Sequence, residues 1–520
     1  MRIRRTTTCA LAVAAACASV LSACSSDSSA DFTATKDQPL VISLDDLLAK
    51  TGGSAAVAIA DPEHGKITRR TDGSVVYTPA AGYTGADSIK VTTTDAVRLY
   101  TTDIKPLGDF GGVTVLGSAF GSAFTPVPGS KDEFYGMTDR GPNVDGKGKN
   151  EKLSVIPDFT PAIAKFKLVG NKAVLESTIT LKNPAGQPFN GLVDSSAPTG
   201  ETIKDLNGNV LPPTDHGIDS EGLVALADGT FWVSDEYGPF LVHFDAKGTE
   251  LERLAPGRGL PKEISARTPN QGMEGLTVTP DGSTLVGIVQ SGLNLPGVAS
   301  AREVPMTRIV TVDLKTRAVK EFAYPLEDPK EKLAVSEITA LSNTTFVVDE
   351  RDGNKAPKSN KKLWTIDISG ATDIGPQAQV PGATYDADKG LLVDGKPLEA
   401  YVGAVPTADG VAALKKAGIT PVTKKSNLDL SALLATLNAD GKFFGHDKVE
   451  GVATVDGGKT LYIANDSDFG LEGANGEQPP FTLKAKTLPN GVQDSGEILL
   501  VDTTKLPAQT ATKTVTLQVK

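Results

Sequence analysis

The chain has 520 residues, too many for one small domain, and this predicts two or more units or one large repeat fold. Gly (53) and Pro (33) are abundant and aromatic residues are few, which favours short strands and turns over long helices. The formal net charge is −11, and residues 1–23 contribute three Arg and no acid to it, which leaves −14 for the rest. We therefore expect no nucleic-acid partner and favour a divalent cation.

The first 23 residues are typical of an export signal. Arg2, Arg4 and Arg5 precede the apolar run LAVAAACASV, which is too short to span a bilayer. The following LSAC resembles a bacterial lipobox, in which the signal is cut before the Cys and that Cys is lipidated. This predicts a mature chain that begins at lipidated Cys24, lies on the outer face of the bacterial cell membrane and continues as a flexible tether over 24–35. The alternative is an ordinary secretory signal with a chance Cys.

Cysteine usage narrows the chemistry of the mature chain. The other two cysteines, Cys9 and Cys17, lie within the signal. The mature chain is therefore predicted to have no internal disulfide, no thiolate metal site and no catalytic Cys.

Residues 36–105 show a separate, small all-β pattern. The turn Asp72-Gly73, the alternation in SVVYTP and the segment GYTGADS lead into the strand IKVTTT. The run DGSVVYTPAAGYTGADS resembles the bacterial Ig-like, cadherin-like domains of exported proteins. The resemblance implies a β-sandwich that serves as a spacer, and we assign it no chemistry.

A repeat occupies the chain from residue 106 onward. Its four clearest copies are SEGLVALADGTFWVSDE (220–236), MEGLTVTPDGSTLVGIVQ (273–290), SEITALSNTTFVVDE (336–350) and VEGVATVDGGKTLYIANDS (449–467). Each copy has a Glu, an apolar strand, a polar turn and a second apolar strand that ends in an acid or an amide. Strand signals that recur about every 50–60 residues indicate the blades of a β-propeller.

We therefore predict an all-β protein with a small N-terminal Ig-like β-sandwich and a β-propeller over 106–520. The propeller is expected to have five to seven blades, with six favoured, because the 113 residues between Glu337 and Glu450 have room for two units. Helical periodicity predicts a partly helical insertion near 401–440. The terminal TKTVTLQVK alternates and is expected to close the ring by joining the first blade.

The acidic residues at the open ends of these hairpins are the candidate site. Because cross-strand partners lie symmetrically about a turn, the sequence predicts four opposed pairs. These pairs are Glu221 with Asp235, Glu274 with Gln290, Glu337 with Asp349, and Glu450 with Asn465. Since the first strand of each propeller blade lies nearest the axis, the four pairs are expected to surround one mouth of the central channel.

Such a ring of carboxylates repels itself unless a partner offsets the charge. Ca²⁺ is one candidate partner, and the neighbouring Arg140, Arg267 and Arg351 are another. The alternative for any one acid is an ordinary turn cap or salt bridge. His216 and His446 precede two of the Glu-Gly motifs, and an Asp-paired structural role is favoured for them over that of a general base.

These motifs resemble the family described as esterase-like activity of phytase, which comprises exported β-propellers. The matching segments are YGMTDRGP (135–142), DSEGLVALADGTFWVSDEYGPFLVHFDAKG (219–248), RTPNQGMEGLTVTPDGSTLVGIVQS (267–291), RIVTVDLKT (308–316) and KVEGVATVDGGKTLYIANDSDFG (448–470). The family name links the chain to phytases, whose propellers are Ca²⁺-dependent phosphohydrolases with acidic channel mouths. The chain departs from the motif at Ser336-Glu337-Ile338, which lacks the Gly, and at Gln290, which replaces an acid.

The resemblance implies a set of metal or substrate contacts, namely Asp139, Arg140, Asp219, Glu221, Asp235, Glu236, Arg267, Glu274, Glu337, Asp349, Glu350, Glu450 and Asp466. From this set we predict a metal site, for Ca²⁺ or another divalent metal, made by Glu221, Asp235, Glu274, Glu337, Asp349, Glu450 and Asp466. The predicted catalytic residues are Glu221 and Glu236 as proton acceptors and Arg140 and Arg351 as anion holders. The predicted substrate-binding residues are Asp139, Arg140, Arg267, Gln290 and Arg351.

The prediction is thus a monomeric, membrane-anchored, metal-dependent hydrolase that acts on an anionic phosphoester or carboxylic ester. One alternative is a non-catalytic ligand-binding propeller of the cell envelope with a structural metal. A second alternative is a lactonase-type hydrolase, because metal-dependent lactonases also use propellers.

Overall fold

The computed structural model describes residues 30–118, 120–327, 329–331 and 333–520. The predicted signal segment and Cys24 lie outside these residues. The described chain is mostly β-strand and forms a β-propeller and a smaller Ig-like module.

The propeller is built from four-stranded antiparallel blades, whose strands run outward from the central channel. The innermost strands are Ala123–Pro126, Ser220–Ala225, Met273–Val278, Ala334–Ala340 and Val449–Ala453. The second strands are Glu133–Met137, Phe231–Asp235, Thr284–Val289, Thr345–Arg351 and Thr460–Asn465. The third strands are Ala162–Val169, Leu241–Phe244, Met306–Asp313, Lys361–Asp367 and Glu497–Asp502. The outermost strands are Lys172–Thr180, Glu250–Pro256, Val319–Pro325, Thr423–Asp429 and Val97–Thr102.

Within the described residues the propeller has five blades, which we number 1 to 5 in the order of their innermost strands. Each innermost strand contacts those of both neighbouring blades, and the strands of blades 5 and 1 also meet, so the ring is closed. Five lies within the expected range, but the favoured number of six is wrong. The long gap before Glu450 holds an insertion in blade 4 rather than another blade.

This insertion, residues 368–422, leaves blade 4 after its third strand and packs beside blade 3. It contains the short strands Ala383–Asp386, Gly390–Val393 and Lys396–Pro397 and the helices α1 (Leu398–Val402) and α2 (Thr407–Lys416). A further helix, α3 (Leu430–Leu437), directly follows the outermost strand of blade 4. Apolar side chains of the insertion and of blade 3 form one buried cluster that includes Met306 and Leu398.

A fully buried ion cluster also fixes the insertion to blade 3. Arg308 of blade 3 makes a two-pronged contact with Glu399 of the insertion, at 2.9 and 3.0 Å. Glu321 and Glu263 lie 3.4 and 3.5 Å from the same guanidinium, and the Tyr385 hydroxyl donates to Glu263. We call these four charged residues the Arg308 cluster.

The Ig-like module has two facing sheets. One sheet has the strands Phe32–Ala34, Thr510–Val519, Gly85–Thr94 and Ala55–Ile59, and the other has Leu40–Ile42, Val75–Pro79 and Gly65–Arg69. A helix, Leu44–Thr51, begins at Ser43, whose side chain accepts a hydrogen bond from the Asp46 amide. A buried apolar cluster that includes Tyr77 and Leu517 fills the space between the sheets.

The two modules exchange strands. Val97–Thr102, which lies in the predicted sandwich region 36–105, pairs with Glu497–Asp502 and completes blade 5. The C-terminal strand Thr510–Val519 pairs with Gly85–Thr94 in the Ig-like module, so the expectation that it joins the first blade is wrong. Its alternation fits the Ig-like sheet, because Val515, Leu517 and Val519 all point into the buried cluster of that module.

Short elements complete the described chain. One small four-stranded sheet in the loops consists of Asn143–Asp145, Glu151–Ser154, Thr202–Lys204 and Val210–Leu211. Two two-stranded sheets consist of Leu471–Asn475 with Thr482–Ala485 and of Gly108–Phe110 with Val113–Val115. The strand Gly259–Leu260 extends blade 2. The 3₁₀ helices are Lys262–Ala266, Ala301–Glu303, Pro329–Glu331, Asp468–Gly470 and Thr503–Lys505. None of the helices in the described ranges is long and apolar enough to cross a membrane.

Candidate functional site

A β-bulge near the start of the innermost strand shifts the hairpin pairing in blades 2 to 5. In blade 2, Asp235 pairs with Ser220 and Ser234 pairs with Gly222, so Glu221 is the extra residue. Three of the four predicted pairs are therefore wrong. Asp235 and Asn465 pair one residue away from the predicted glutamate, and Gln290 lies beyond the pair of Met273 with Val289, opposite Gly272. The pair of Glu337 with Asp349 is observed. A bulge adds one residue to one strand, which symmetry about the turn does not reveal.

The register defines two sets of equivalent positions around the channel. The first set lies on the innermost strand side of each hairpin, directly before the residue at which regular pairing with the second strand begins. We call it the bulge ring, and it consists of Ser122, Glu221, Glu274, Ser336 and Glu450. The second set lies at or just after the end of the second strand of each blade, two residues after the residue that makes the first regular pair with the innermost strand. We call it the strand-end ring, and it consists of Asp139, Glu236, Gln290, Arg351 and Asp466. The rings show that Ser336, and not Glu337, is the blade 4 counterpart of the glutamates.

The Gly of the Glu-Gly motif is explained by the close approach of the next blade. A Cβ on Gly222 would lie 2.6 Å from the Leu276 nitrogen, and one on Gly275 would lie 2.7 Å from the Ile338 nitrogen. In blade 4 this position is Glu337, whose Oε1 accepts from the amides of Ile338 and Leu276 at 2.8 and 3.2 Å. Glu337 therefore bonds backbone amides, while burial raises its pKa well above its usual range.

Three glutamates of the bulge ring converge although they come from blades 2, 3 and 5. Burial, followed by the charges of Asp219, Glu274 and Glu450, raises the pKa of Glu221 well above its usual range. Burial and the Glu450 charge raise the pKa of Glu274 to about 8. The carboxylates influence one another because burial removes the water that would screen them.

Three carboxylates meet more closely still beside Glu221. One carboxylate oxygen from each of Asp139, Asp219 and Glu221 lies within 4.8 Å of the other two, and all three residues are buried. Burial and the Asp219 charge raise the pKa of Asp139 to about 7. We call this group the three-acid cluster, and no other group in the described part of the chain brings three such ligand atoms together.

Arg140 borders the three-acid cluster. Its Nη1 donates to Asp219 Oδ2 at 2.5 Å and also to Asn270 Oδ1, and its guanidinium lies 4.9 Å from the Tyr237 ring centroid. Burial lowers the pKa of Arg140, but the charges of Asp219 and the other acidic groups around it together outweigh burial and raise that pKa. Arg140 therefore stays cationic and balances one of the three acids.

Arg351 occupies the opposite side of the mouth. Its Nη2 donates to Glu450. Burial lowers the pKa of Arg351, but the charges of Glu450, Glu274 and other nearby acids together outweigh burial and raise that pKa. Arg267 has a different role, since its guanidinium donates to the carbonyls of Ser265, Ala197 and Tyr237. It thus supports the loop at Tyr237, and this geometry does not favour the predicted substrate contact.

Several of the predicted acids are held by other contacts. Asp235 Oδ1 accepts from the amides of Asp219, Tyr237 and Gly238, which stabilises the turn after its strand, and burial raises the pKa of Asp235 to about 7. Glu350 accepts from the Tyr324 hydroxyl at 2.5 Å and pairs with Lys424. These two acids fit the turn-cap and salt-bridge alternative.

The strand-end ring contains two more paired acids. Gln290 Nε2 donates to Glu236 Oε1 at 3.1 Å, and burial raises the pKa of Glu236 well above its usual range. Asp466 lies 3.1 Å from the Lys448 ammonium. Burial lowers the pKa of Lys448, a residue that the sequence did not single out, but the charges of Asp468, Asp466 and Glu450 together outweigh burial and raise that pKa.

Both histidines pair with acids, as favoured. His446 is buried between Asp494 and Glu497, at 3.1 and 3.0 Å, and these acids outweigh burial and raise its pKa to about 9. His216 lies 2.6 Å from its exposed neighbour Asp215. Asn465 bonds Asp494 and the Glu497 amide, so it belongs to the His446 network.

Several buried polar atoms at or near the mouth have no hydrogen-bond partner among the described residues. In the bulge ring these are Ser122 Oγ, Ser336 Oγ and Glu274 Oε2. Both oxygens of Asp349 are also unpartnered, and burial raises the pKa of Asp349 to about 8. Buried polar atoms are almost always paired, so these mark a place where water or a ligand is expected.

The sequence reasoning missed Ser122 and Ser336. Ser122 precedes a strand without a Glu-Gly motif, and Ser336 was read as a residue preceding the motif Glu. Allowing one bulge residue would have found Ser336, whereas Ser122 precedes a hairpin that pairs without a bulge.

The opposite end of the channel is different in character. A cavity of about 650 Å³ lies there, among the hairpin turns, and Lys131 is its only charged lining residue in the described chain. Catalysis of ester hydrolysis needs acids, bases or charge holders, and these residues lie at the strand-start end instead.

The comparison with known families identifies both modules. The profile described as phytase-like, esterase-like activity of phytase, matches residues 118–469. The chain belongs to this family. A bacterial Ig domain profile matches residues 23–104, in agreement with the Ig-like module. The family assignment supports a hydrolase-type propeller and agrees with the blades described above.

Individual relatives are more distant. An uncharacterized secreted protein of Arthroderma benhamiae is 26% identical over 382 residues, which cover 60% of this chain and 69% of the relative. Virginiamycin B lyase from Staphylococcus aureus matches at 12% identity and a TM-score of 0.26, over 89% of this chain and 99% of that one. The Cps50 (Swd1) β-propeller domain of Myceliophteria thermophila matches at 8% identity and a TM-score of 0.28, over 84% and 96%. TM-scores this low carry no argument.

Proposed function

We propose that this protein is an exported, divalent-cation-dependent hydrolase of phosphoric or carboxylic esters, with its site at the acidic channel mouth. The observation that carries the proposal is the three-acid cluster of Asp139, Asp219 and Glu221, with Arg140 at its side. Family membership supports ester hydrolysis. Export is supported by the signal-like N-terminus and by the relative described as secreted.

The three-acid cluster fits a hard divalent cation such as Ca²⁺. Oxygen ligands are what Ca²⁺ prefers, and three buried acids beside one Arg leave excess negative charge. The raised pKa values of Asp139 and Glu221 show that burial disfavours their ionised forms when no cation is bound. When bound, the cation would polarise the ester and stabilise the charge that develops on it. Glu274, Glu337, Asp349, Glu450 and Asp466, though predicted as ligands, lie outside the cluster.

The remaining mouth residues can bind the substrate and transfer protons. Arg140 and Arg351, on two sides of the mouth, would hold the anionic oxygens of the ester. Glu236 would accept a proton from water as the new bond to phosphorus or carbon forms, provided that the charge of the bound cation keeps it ionised against the effect of burial. Glu274, with its unpartnered Oε2 and a pKa of about 8, would donate a proton to the leaving oxygen as the ester bond breaks.

The test measures hydrolysis by the chain over residues 30–520. We expect it to hydrolyse p-nitrophenyl phosphate or p-nitrophenyl acetate with added Ca²⁺ and to lose that activity with EDTA. Glu221→Gln should lower kcat/KM by about 100-fold or more, because it removes a carboxylate that would bind the cation needed to stabilise charge in the transition state. Glu176→Gln, on the outermost strand of blade 1 away from the mouth, is the matched control. No turnover with Ca²⁺, Mg²⁺, Mn²⁺ or Zn²⁺ would contradict the proposal.

A second candidate function is a non-catalytic envelope receptor with a structural cation. The observation in its favour is that Asp139, Asp219 and Glu221 are 6%, 0% and 8% exposed, so a cation there would be largely enclosed. Ca²⁺ binding measured by calorimetry without turnover of any ester would select this function.

A further inference from the structure

We infer that the cleft between blade 3 and the blade 4 insertion binds an apolar acyl or alkyl group of the substrate. This inference rests on the proposed function, because the cleft opens beside the proposed site. The cleft has a volume of about 650 Å³, which is within the range of pockets that hold small organic ligands.

Two lining residues of the cleft adjoin residues of the strand-end ring. Its lining residue Ser291 directly follows Gln290 of the strand-end ring. Its lining residue Ala334 pairs across the strands with Arg351 of the same ring. Cross-strand partners in an antiparallel pair have Cα atoms about 4.5 to 5.5 Å apart, so a substrate held by Arg351 can extend into the cleft beside Ala334.

The walls of the cleft differ in polarity. The wall next to the mouth is polar, because Gln271 Oε1 accepts from Ser291 Oγ at 2.8 Å and from Arg302 Nε at 3.0 Å. The far wall includes the apolar Leu326 and Val405, while the charged Glu303 and Lys330 also line the cleft. This order fits a molecule whose polar ester lies at the mouth and whose apolar part points away from it.

The insertion holds the far wall rigidly in place. The Thr407 hydroxyl donates to the Leu326 carbonyl at 2.8 Å, so the insertion is tied to blade 3 at the cleft itself. Gly410 packs so closely on Pro305 that a Cβ there would lie 2.7 Å from the ring. Behind this contact, the Arg308 cluster fixes Glu399. A preformed apolar wall binds an apolar group without a further ordering cost.

The test fills the cleft and compares a short with a long ester. Val405→Trp should lower kcat/KM for p-nitrophenyl octanoate by about tenfold or more and leave p-nitrophenyl acetate within about twofold, since a blocked pocket penalises only the longer group. Ala404→Phe is a second variant at an exposed lining position, so it tests the same point with little risk to folding. Val127→Trp, in the cavity at the opposite end of the channel, is the matched control.

A binding measurement separates this inference from the proposed function. The dye 8-anilinonaphthalene-1-sulfonate should fluoresce with the wild type and with Val127→Trp, and markedly less with Val405→Trp and Ala404→Phe. Loss of dye binding without turnover of any ester would uphold the cleft and reject the hydrolase. Two results would contradict the proposed role of the cleft. One is equal dye fluorescence and an equal ratio of kcat/KM for octanoate to kcat/KM for acetate in all four proteins. The other is a wild type that neither binds the dye nor prefers octanoate.

Discussion

Two buried groups of charged residues in this molecule have similar compositions but differ in hydrogen bonding: within the described part of the chain, all side-chain polar atoms of one group have partners, and several of the other group do not. The Arg308 cluster places three glutamates around one Arg, and none of its side-chain atoms lacks a partner among the described residues. The channel mouth also places acids around Arg140 and Arg351, but Glu274 Oε2, Ser336 Oγ and both arginine Nε atoms are unpartnered. The difference separates a cluster that holds the fold from one that is available to a ligand.

The largest effect on stability is expected in the Arg308 cluster. Glu399→Gln removes the two-pronged partner of a buried Arg and should lower the free energy of unfolding by about 3 to 5 kcal/mol. Urea denaturation followed by circular dichroism measures this change. A loss below about 1 kcal/mol would show that the cluster does not hold the insertion.

The next effect is the response of the mouth to Ca²⁺. At a Ca²⁺ concentration about 100 times Kd, the wild type should gain about 2.7 kcal/mol of unfolding free energy, and Asp219→Asn should gain little. The measurement is the melting temperature with Ca²⁺ and with EDTA. Glu399→Gln is the control, because it should keep the full response to Ca²⁺. An equal response in Asp219→Asn would place the cation elsewhere.

A smaller effect should appear when Glu274 is neutralised. Its pKa of about 8 lies above the ordinary value of 4.5, so in EDTA the wild type loses unfolding free energy as the pH rises from about 4.5 to 8. Glu274→Gln removes this loss, so it should equal the wild type at pH 5 and exceed it by about 1 to 3 kcal/mol at pH 9. Denaturation at the two pH values measures the difference, and a variant that is less stable at pH 9 would contradict the comparison.

The smallest effect distinguishes a satisfied hydroxyl from an unsatisfied one. Ser336→Ala removes an unpartnered hydroxyl and should change the unfolding free energy by less than about 0.5 kcal/mol or raise it. Ser234→Ala, the matched control, removes a 3.0 Å bond to the Glu274 carbonyl and should cost about 1 kcal/mol. Equal costs in the two variants would mean that Ser336 has a partner in solution.

The sequence predicted the propeller because the apolar strands, polar turns and terminal acids recur with a regular spacing. It also predicted that glutamates of separate blades belong to one channel mouth, where the structure brings Glu221, Glu274 and Glu450 together. The pairing within hairpins was mostly wrong because a bulge leaves no trace in residue spacing. Symmetry about the turn had placed Glu450 opposite Asn465, which pairs with Val449.

Other features depend on long-range contacts that no local pattern contains. The three-acid cluster joins Asp139 of blade 1 to Asp219 and Glu221 of blade 2, and it excludes Asp235, which repeat symmetry had favoured. The Arg308 cluster connects residues as far apart as Glu263 and Glu399, which share no motif. Such groupings are fixed only when the blades and the insertion pack together.

The exchange of strands between the two modules constrains how the protein can be made. Val97–Thr102 completes blade 5, and Thr510–Val519 completes the Ig-like sheet, so each module needs residues from the far end of the chain. The propeller cannot close until synthesis has passed residue 502, and the Ig-like module cannot close until it has passed residue 519. Until then each module exposes an open sheet edge of the kind that promotes aggregation. A cut between residues 105 and 106 would deprive both pieces of a strand, so the Ig-like module and the propeller form one folding unit.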